Sequence, residues 1–300
     1  MEHQDRCDED AARGGHITSR SFPASASFVG RIPAPVRARL RDLVERVEPP
    51  IAVPRLRWGK QPLPPLGIGL VYRARNSATV EKLLDSTRRP VRAALWALDD
   101  ISPALAGRTV GTGPGTRVSL LNRTVDALKL PDDAWLLLAD DDVKLCRGDL
   151  DDLLQLAAYV GLDVAQPTHA AGSTHLWGIN RHRVLTMARS TRFVETGPAL
   201  LMSPLAQRLC LPFRSEFAMG IGSEAVWGGR TELRLGVLDA VTMRHMGVVG
   251  GAYNGQAEWD RTLPFVTNLL KPLGVSSLKD LAHEEGRWRW WQTRPIWAQR

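Results

Sequence analysis

The chain has 300 residues, of which 44% are hydrophobic, and a net charge of +7 at neutral pH. That is enough apolar material for a sizeable core, while no stretch approaches the roughly 18 consecutive apolar residues of a membrane span. Cys7, Cys146 and Cys210 are too few and too scattered for a disulfide framework or a Cys-rich zinc site, and the polar start MEHQDRCDEDAARGGH is not a secretory leader, so a reduced, cytoplasmic protein is expected. Arginine dominates the basic residues, without a run of five or more, which argues against nucleic acid as a partner; arginine-rich codon usage accounts for the charge.

In chain order, residues 1–32 lack hydrophobic periodicity and read as a disordered tail. Val36, Leu40, Leu43, Val44 and Val47 have helical spacing, and Pro35 suits the first turn of that helix. Prolines 49, 50, 54, 62, 64 and 65 then make an extended connector, so residues 33–65 form one segment. Strands are predicted at Gly67–Tyr72, Val91–Leu98 and Ala134–Ala139, with another starting at Asp163–Gln166. Helices are predicted at Thr79–Leu84, Ser119–Leu128 and Leu150–Val160, where Asp149, Asp151 and Asp152 look like helix-start residues. The alternation implies an α/β domain over residues 66–270 with a mostly parallel sheet, followed by a Trp/Arg-rich extension over 271–300.

Ligands of such sheets sit beyond the carboxyl ends of the strands. The first predicted strand is followed by Arg73, Arg75 and Asn76, the second by Asp99 and Asp100, the third by Asp140, Asp141 and Asp142. Three adjacent carboxylates repel one another unless a cation joins them. Residues two apart on extended backbone point the same way, so Asp140 and Asp142 can address one ion, and hard oxygens suit Mg²⁺ or Mn²⁺. The alternative reading is a solvated acidic turn before the next helix.

The order of segments resembles family 2 and related GT-A glycosyltransferases: GLVYRARN, LWALDD, GTGPGTRVSLLNRTVDAL, WLLLADDDV, ETGPALLMS, FAMGIGSEAVWGGR and LDAVTMRHMG, across about residues 66–255. DDDV, AQP, RFVE, IGSEAVW, GVLDAV and VGG also resemble a family whose plant members carry a name referring to lysine-ketoglutarate reductase trans-splicing. The resemblance implies a single GT-A-like nucleotide-diphospho-sugar transferase domain. It implies a nucleotide-sugar donor bound by Arg73, Asp99, Asp100, Arg117 and Asp140, a Mn²⁺ or Mg²⁺ ion on Asp140, Asp142 and His245, and Glu224 as the base in an inverting transfer. The acceptor, whether carbohydrate, lipid or small molecule, is left open. Ser223-Glu224-Ala225 stands where that pattern usually has Glu-Asp, so Glu216 and then Asp239 are the alternative bases.

Several of these residues also have plainer readings. Gly111-Thr-Gly113-Pro-Gly115-Thr matches neither a Walker loop nor the dinucleotide fingerprint, and reads as a loop before a helix, with Arg117 placed to face a diphosphate. Glu224 alone could be a helix-start charge, and His245, after a strand at Leu233–Ala240, a structural imidazole. Trp288, Trp290, Trp291 and Trp297, interleaved with arginines, read as a tail helix docked through its rings, with sugar stacking or a peripheral membrane contact as the other uses. Rival functions are a phosphohydrolase or nucleotidyltransferase using the same aspartates, and a non-catalytic basic binding protein.

Overall fold

The computed structural model describes residues 62–170, 173–247 and 254–292. The predicted tail, the helix at Pro35–Val47 and Trp297 lie outside the described residues. The elements expected from Gly67 onward are present as strands β1 (Leu66–Tyr72), β2 (Arg92–Ala97), β4 (Trp135–Asp140) and β6 (Val164–His169) and helices α1 (Ser77–Leu84), α2 (Arg117–Leu128) and α3 (Leu150–Val160), and two short strands that were not expected, β3 (Thr109–Thr112) and β5 (Val143–Arg147), lie among them. Then come β7 (Thr186–Thr191), β8 (Ala199–Met202), α4 (Pro204–Cys210), α5 (Glu224–Gly228), β9 (Leu235–His245), α6 (Gly255–Leu270), α7 (Leu278–Leu281) and β10 (Glu284–Arg289).

Among the described residues, ten strands form one mixed sheet in the order β10-β7-β9-β6-β8-β4-β1-β2-β3, with β5 pairing with β9 off that path. It is parallel from β4 through β1 and β2 to β3, and again between β6 and β9. The short strand β8 joins these two parallel parts by running antiparallel to both β4 and β6. Runs of apolar residues in β1 and β4 suit strands covered on both faces. Leu66, Ile68, Leu70 and Tyr72 of β1 join α1 and α3 in one core, while Val118, Leu121 and Leu128 of α2 and Ala206 and Cys210 of α4 build the core on the opposite face. A third cluster packs Phe193 and Phe217 against Val266, Leu270, Leu278 and Leu281.

Register brings one end of many strands together. Val71 pairs with Trp96 and with Asp140, so β1, β2 and β4 finish side by side. Ala139 pairs with Ala199, which places the start of antiparallel β8 at that same edge. His169 pairs with Met243, so β6 and β9 also end there, and Val143 pairs with His245. Two expectations are corrected: β9 runs on through His245 instead of ending near Ala240, and the tail at Glu284–Arg289 is an edge strand, not a helix. Trp288 is buried in that strand, its ring centroid 5.7 Å from that of Tyr159. The Arg/Trp alternation is a period of two, which suits an edge strand with one face on the core.

Candidate active site

The apolar strand β4 delivers three aspartates to the shared edge, and each meets a different partner. Asp140 Oδ1 accepts from Nε and Nη2 of Arg117, at 3.0 and 2.8 Å. Asp141 turns inward, and its Oδ2 accepts the Arg73 backbone N–H at 2.7 Å. Burial raises the Asp141 pKa, the bonds from Arg73 and Asn76 oppose that, and its charged neighbours add to it. Asp142 approaches Nε2 of His245 to 3.2 Å. Burial disfavours ionisation of Asp142, but the contact and charge of His245 outweigh it and hold the carboxyl below its usual range. Burial likewise opposes protonation of His245, and Asp142, Asp140 and Glu195 together override it and raise its pKa.

Asp140, Asp142 and His245 each offer a ligand atom, and these atoms lie within 4.8 Å of one another. Two carboxylates and an imidazole suit a divalent cation of the Mg²⁺/Mn²⁺ type. The contact to His245 is made by Asp142 Oδ1, which is buried and makes no hydrogen bond of good geometry, so that oxygen is still open to a further partner. Space is kept beside both carboxylates by glycine: a Cβ on Gly247 would collide with Asp142 Oδ2, and one on Gly197 would come within 2.9 Å of Asp140 Oδ2. The residues present therefore fit such an ion.

The turn Glu195-Thr196-Gly197-Pro198 runs beside Asp140, whose N–H donates to the Pro198 carbonyl at 2.8 Å. Glu224 fastens this turn from the other side. Its Oε1 accepts from both N and Oγ1 of Thr196, at 3.0 Å each, and its Oε2 from the Gly222 N–H at 2.9 Å. Burial raises its pKa against the pull of those bonds. Glu195 is different: Gln166 Oε1 accepts its backbone N–H at 2.6 Å, while its carboxylate stands 3.8 Å from His169 Nε2. Burial pushes the Glu195 carboxyl up to about 8, with Asn180 and His245 pulling the other way and Asp140 adding.

Fold comparison places this geometry. The structure superposes on GalNAc-T7, crystallised with UDP, GalNAc and Mn²⁺, with a TM-score of 0.51 over 70% of this chain and 48% of that one, at 8% identity. The fold is that of GT-A glycosyltransferases. A fragment of TarS from S. aureus, residues 1–349, in complex with UDP-GlcNAc, aligns at a TM-score of 0.49 over 69% of this chain and 66% of that one, with 13% identity. The chain thus spans about half the length of GalNAc-T7 and just under two thirds of the TarS fragment. No protein-family model and no curated protein matches the sequence.

Within this GT-A fold the sequence-stated residues fall as follows. Asp140, Asp142, His245 and Arg117 come together. Asp99 Oδ1 accepts the Ala74 N–H at 2.8 Å, so it holds the turn after β1, and exposed Asp100 lies next to it. The glycine loop leads into α2, capped by Thr116, and the Arg117 side chain is directed onto Asp140. Asp239 is buried in an ion pair with Arg189 at 2.7 Å, which removes it as a base. Glu216 lies in a short turn and accepts from Ser215 at 3.4 Å. Sequence reasoning missed Gln166, His169, Asn180 and Glu195. The signals were indirect: Gln166 stands in AQP and Glu195 in RFVE, and Glu195 lies two residues before a Gly-Pro pair that leads into a strand.

Proposed function

We propose that the chain is a metal-dependent glycosyltransferase that moves a sugar from a nucleotide-sugar donor to an acceptor hydroxyl, with inversion at the anomeric carbon. The convergence of Asp140, Asp142 and His245 at the common strand edge carries this reading. Those three residues would hold Mn²⁺ or Mg²⁺, which when bound supplies the positive charge that a departing diphosphate needs. Arg117 orients Asp140 through two bonds and brings a guanidinium toward the same region. Arg73, Asp99 and Asp100, on the turns after β1 and β2, border the donor on its nucleoside side.

A hydroxyl attacks poorly until a carboxylate takes its proton. Two buried carboxylates meet at the turn beside Asp140: Glu195 belongs to it, and Glu224 is hydrogen-bonded to its Thr196. Glu224 already accepts three hydrogen bonds, so its first effect is to hold Thr196 and Gly222 in place. Thermal unfolding with UDP, Mn²⁺, both or neither tests the reading. Both together should raise the melting temperature by several degrees, beyond the sum of the separate effects, as expected for coupled binding to the native state. Stabilisation by nucleoside triphosphate with hydrolysis of that triphosphate, or no coupling between metal and nucleotide, would overturn it.

A further inference from the structure

Four buried polar residues converge next to the metal-type cluster without satisfying one another: Gln166, His169, Asn180 and Glu195. The Nε2 atoms of Gln166 and His169, and both Nδ2 and Oδ1 of Asn180, are buried with no hydrogen-bond partner. An unmade bond on a buried polar atom is costly, so a group of them is poorly explained as core. The Asn180 amide stands close enough to favour ionised Glu195, yet makes no bond of good geometry. The Glu195 side chain retains 11% exposure, against 1% for His169, so whatever enters meets the carboxylate first.

The wiring around His169 sets its ring. Ser173 Oγ accepts the backbone N–H of His245 at 2.9 Å and lies 2.8 Å from His169 Nδ1. A Ser173 hydroxyl that donates to Nδ1 puts the proton of the neutral ring on Nε2, facing Glu195. Burial lowers the His169 pKa to about 4, with His245 adding in the same direction, so the ring is a neutral donor. Donors and an acceptor left over around a carboxylate match a hydroxyl group, which both gives and takes hydrogen bonds.

We propose that Gln166, His169, Asn180 and Glu195 form the subsite for a carbohydrate acceptor hydroxyl, and that Glu195 receives its proton. The proposal rests on the glycosyltransferase reading above. The hydroxyl oxygen forms the new bond to the anomeric carbon, the bond from that carbon to the diphosphate breaks, the electron pair leaves with the nucleoside diphosphate, and the proton passes to a Glu195 oxygen. His169 and Asn180 act as positioning residues, through the hydrogen bonds they lack until the acceptor arrives.

The test is release of UDP from UDP-GalNAc and UDP-GlcNAc with Mn²⁺, with and without a panel of free monosaccharides, beside calorimetric binding of UDP with Mn²⁺. Glu195→Gln should bind UDP and Mn²⁺ within about threefold of wild type and lose turnover by roughly 10²–10⁴-fold, as for loss of a general base. Asn180→Leu removes unpartnered polar atoms at nearly constant volume. Its melting temperature should be unchanged or higher while turnover falls at least about tenfold, a combination that a structural asparagine does not give. Turnover retained in both variants, or an Asn180→Leu protein that melts earlier and still turns over, overturns the subsite. So does a wild type that binds UDP and Mn²⁺ but releases no UDP from either donor. Absence of metal-dependent UDP binding in the wild type instead overturns the glycosyltransferase reading, and the subsite with it.

Discussion

Asp141 and Asp142 are neighbours with the same chemistry and opposite tendencies. The first is held inward by the Arg73 N–H, and burial raises its pKa; the second faces His245, which lowers its pKa despite burial. Sequence alone marks the group Asp140–Asp142 as a strand-end cluster, and the alternation rule separates Asp141 from the other two. The spacing says nothing about His245, over a hundred positions away. Glu195 was illegible for a related reason, since its surroundings come from β6, the turn at Asn180 and the ends of β4 and β9. The Glu195 pKa rises from 4.5 to about 8 on folding, so the unfolded chain ionises first as pH rises. Its contribution to stability is full below about pH 4.5 and lost progressively toward pH 8. Facing it are His169 of β6, Asp140 of β4, His245 of β9 and Glu224 of α5. Comparing melting temperatures of wild type and Glu195→Gln across that window checks this: the variant should gain on the wild type as pH rises. Glu224→Gln should lose stability, because an amide cannot accept three bonds in the carboxylate's arrangement; an unchanged melting temperature would show that the clamp contributes nothing.

Elements were legible in proportion to how locally they are determined. The box of Asp149 and Asp152 at the start of α3 is written in adjacent residues, and the helix begins where those residues place it. The apolar runs of β1 and β4 likewise identify central strands. β10 was misread because a short Arg/Trp alternation supports a docked tail as readily as an edge strand, and only pairing with β7 decides. If β10 belongs to the sheet, Trp288→Ala should cost about 3–5 kcal/mol in urea unfolding, the range for truncating a fully buried tryptophan. A loss under about 1 kcal/mol would mean that the strand is an ornament on an independent core.

Across the whole molecule, the site exists because one sheet brings distant segments to one edge. The parallel part was foreseeable from strand–helix alternation. The insertion of antiparallel β8 between β4 and β6 was not, since strand order depends on long-range pairing that no local pattern encodes. That insertion sets the Glu195–Pro198 turn against Asp140, and pairing of β5 with β9 sets His245 against Asp142. No helix among the described residues is long and apolar enough to cross a membrane. The central claim is that this edge is a metal-assisted nucleotide-sugar site, and calorimetry of UDP binding with and without Mn²⁺, in wild type and in Asp142→Asn, tests it most directly. The account predicts that Mn²⁺ tightens UDP binding in the wild type and that Asp142→Asn loses at least about tenfold of that gain, or roughly 1.4 kcal/mol, while remaining folded. Equal metal-dependent affinity in the two proteins, or UDP affinity indifferent to Mn²⁺ in the wild type, would contradict it.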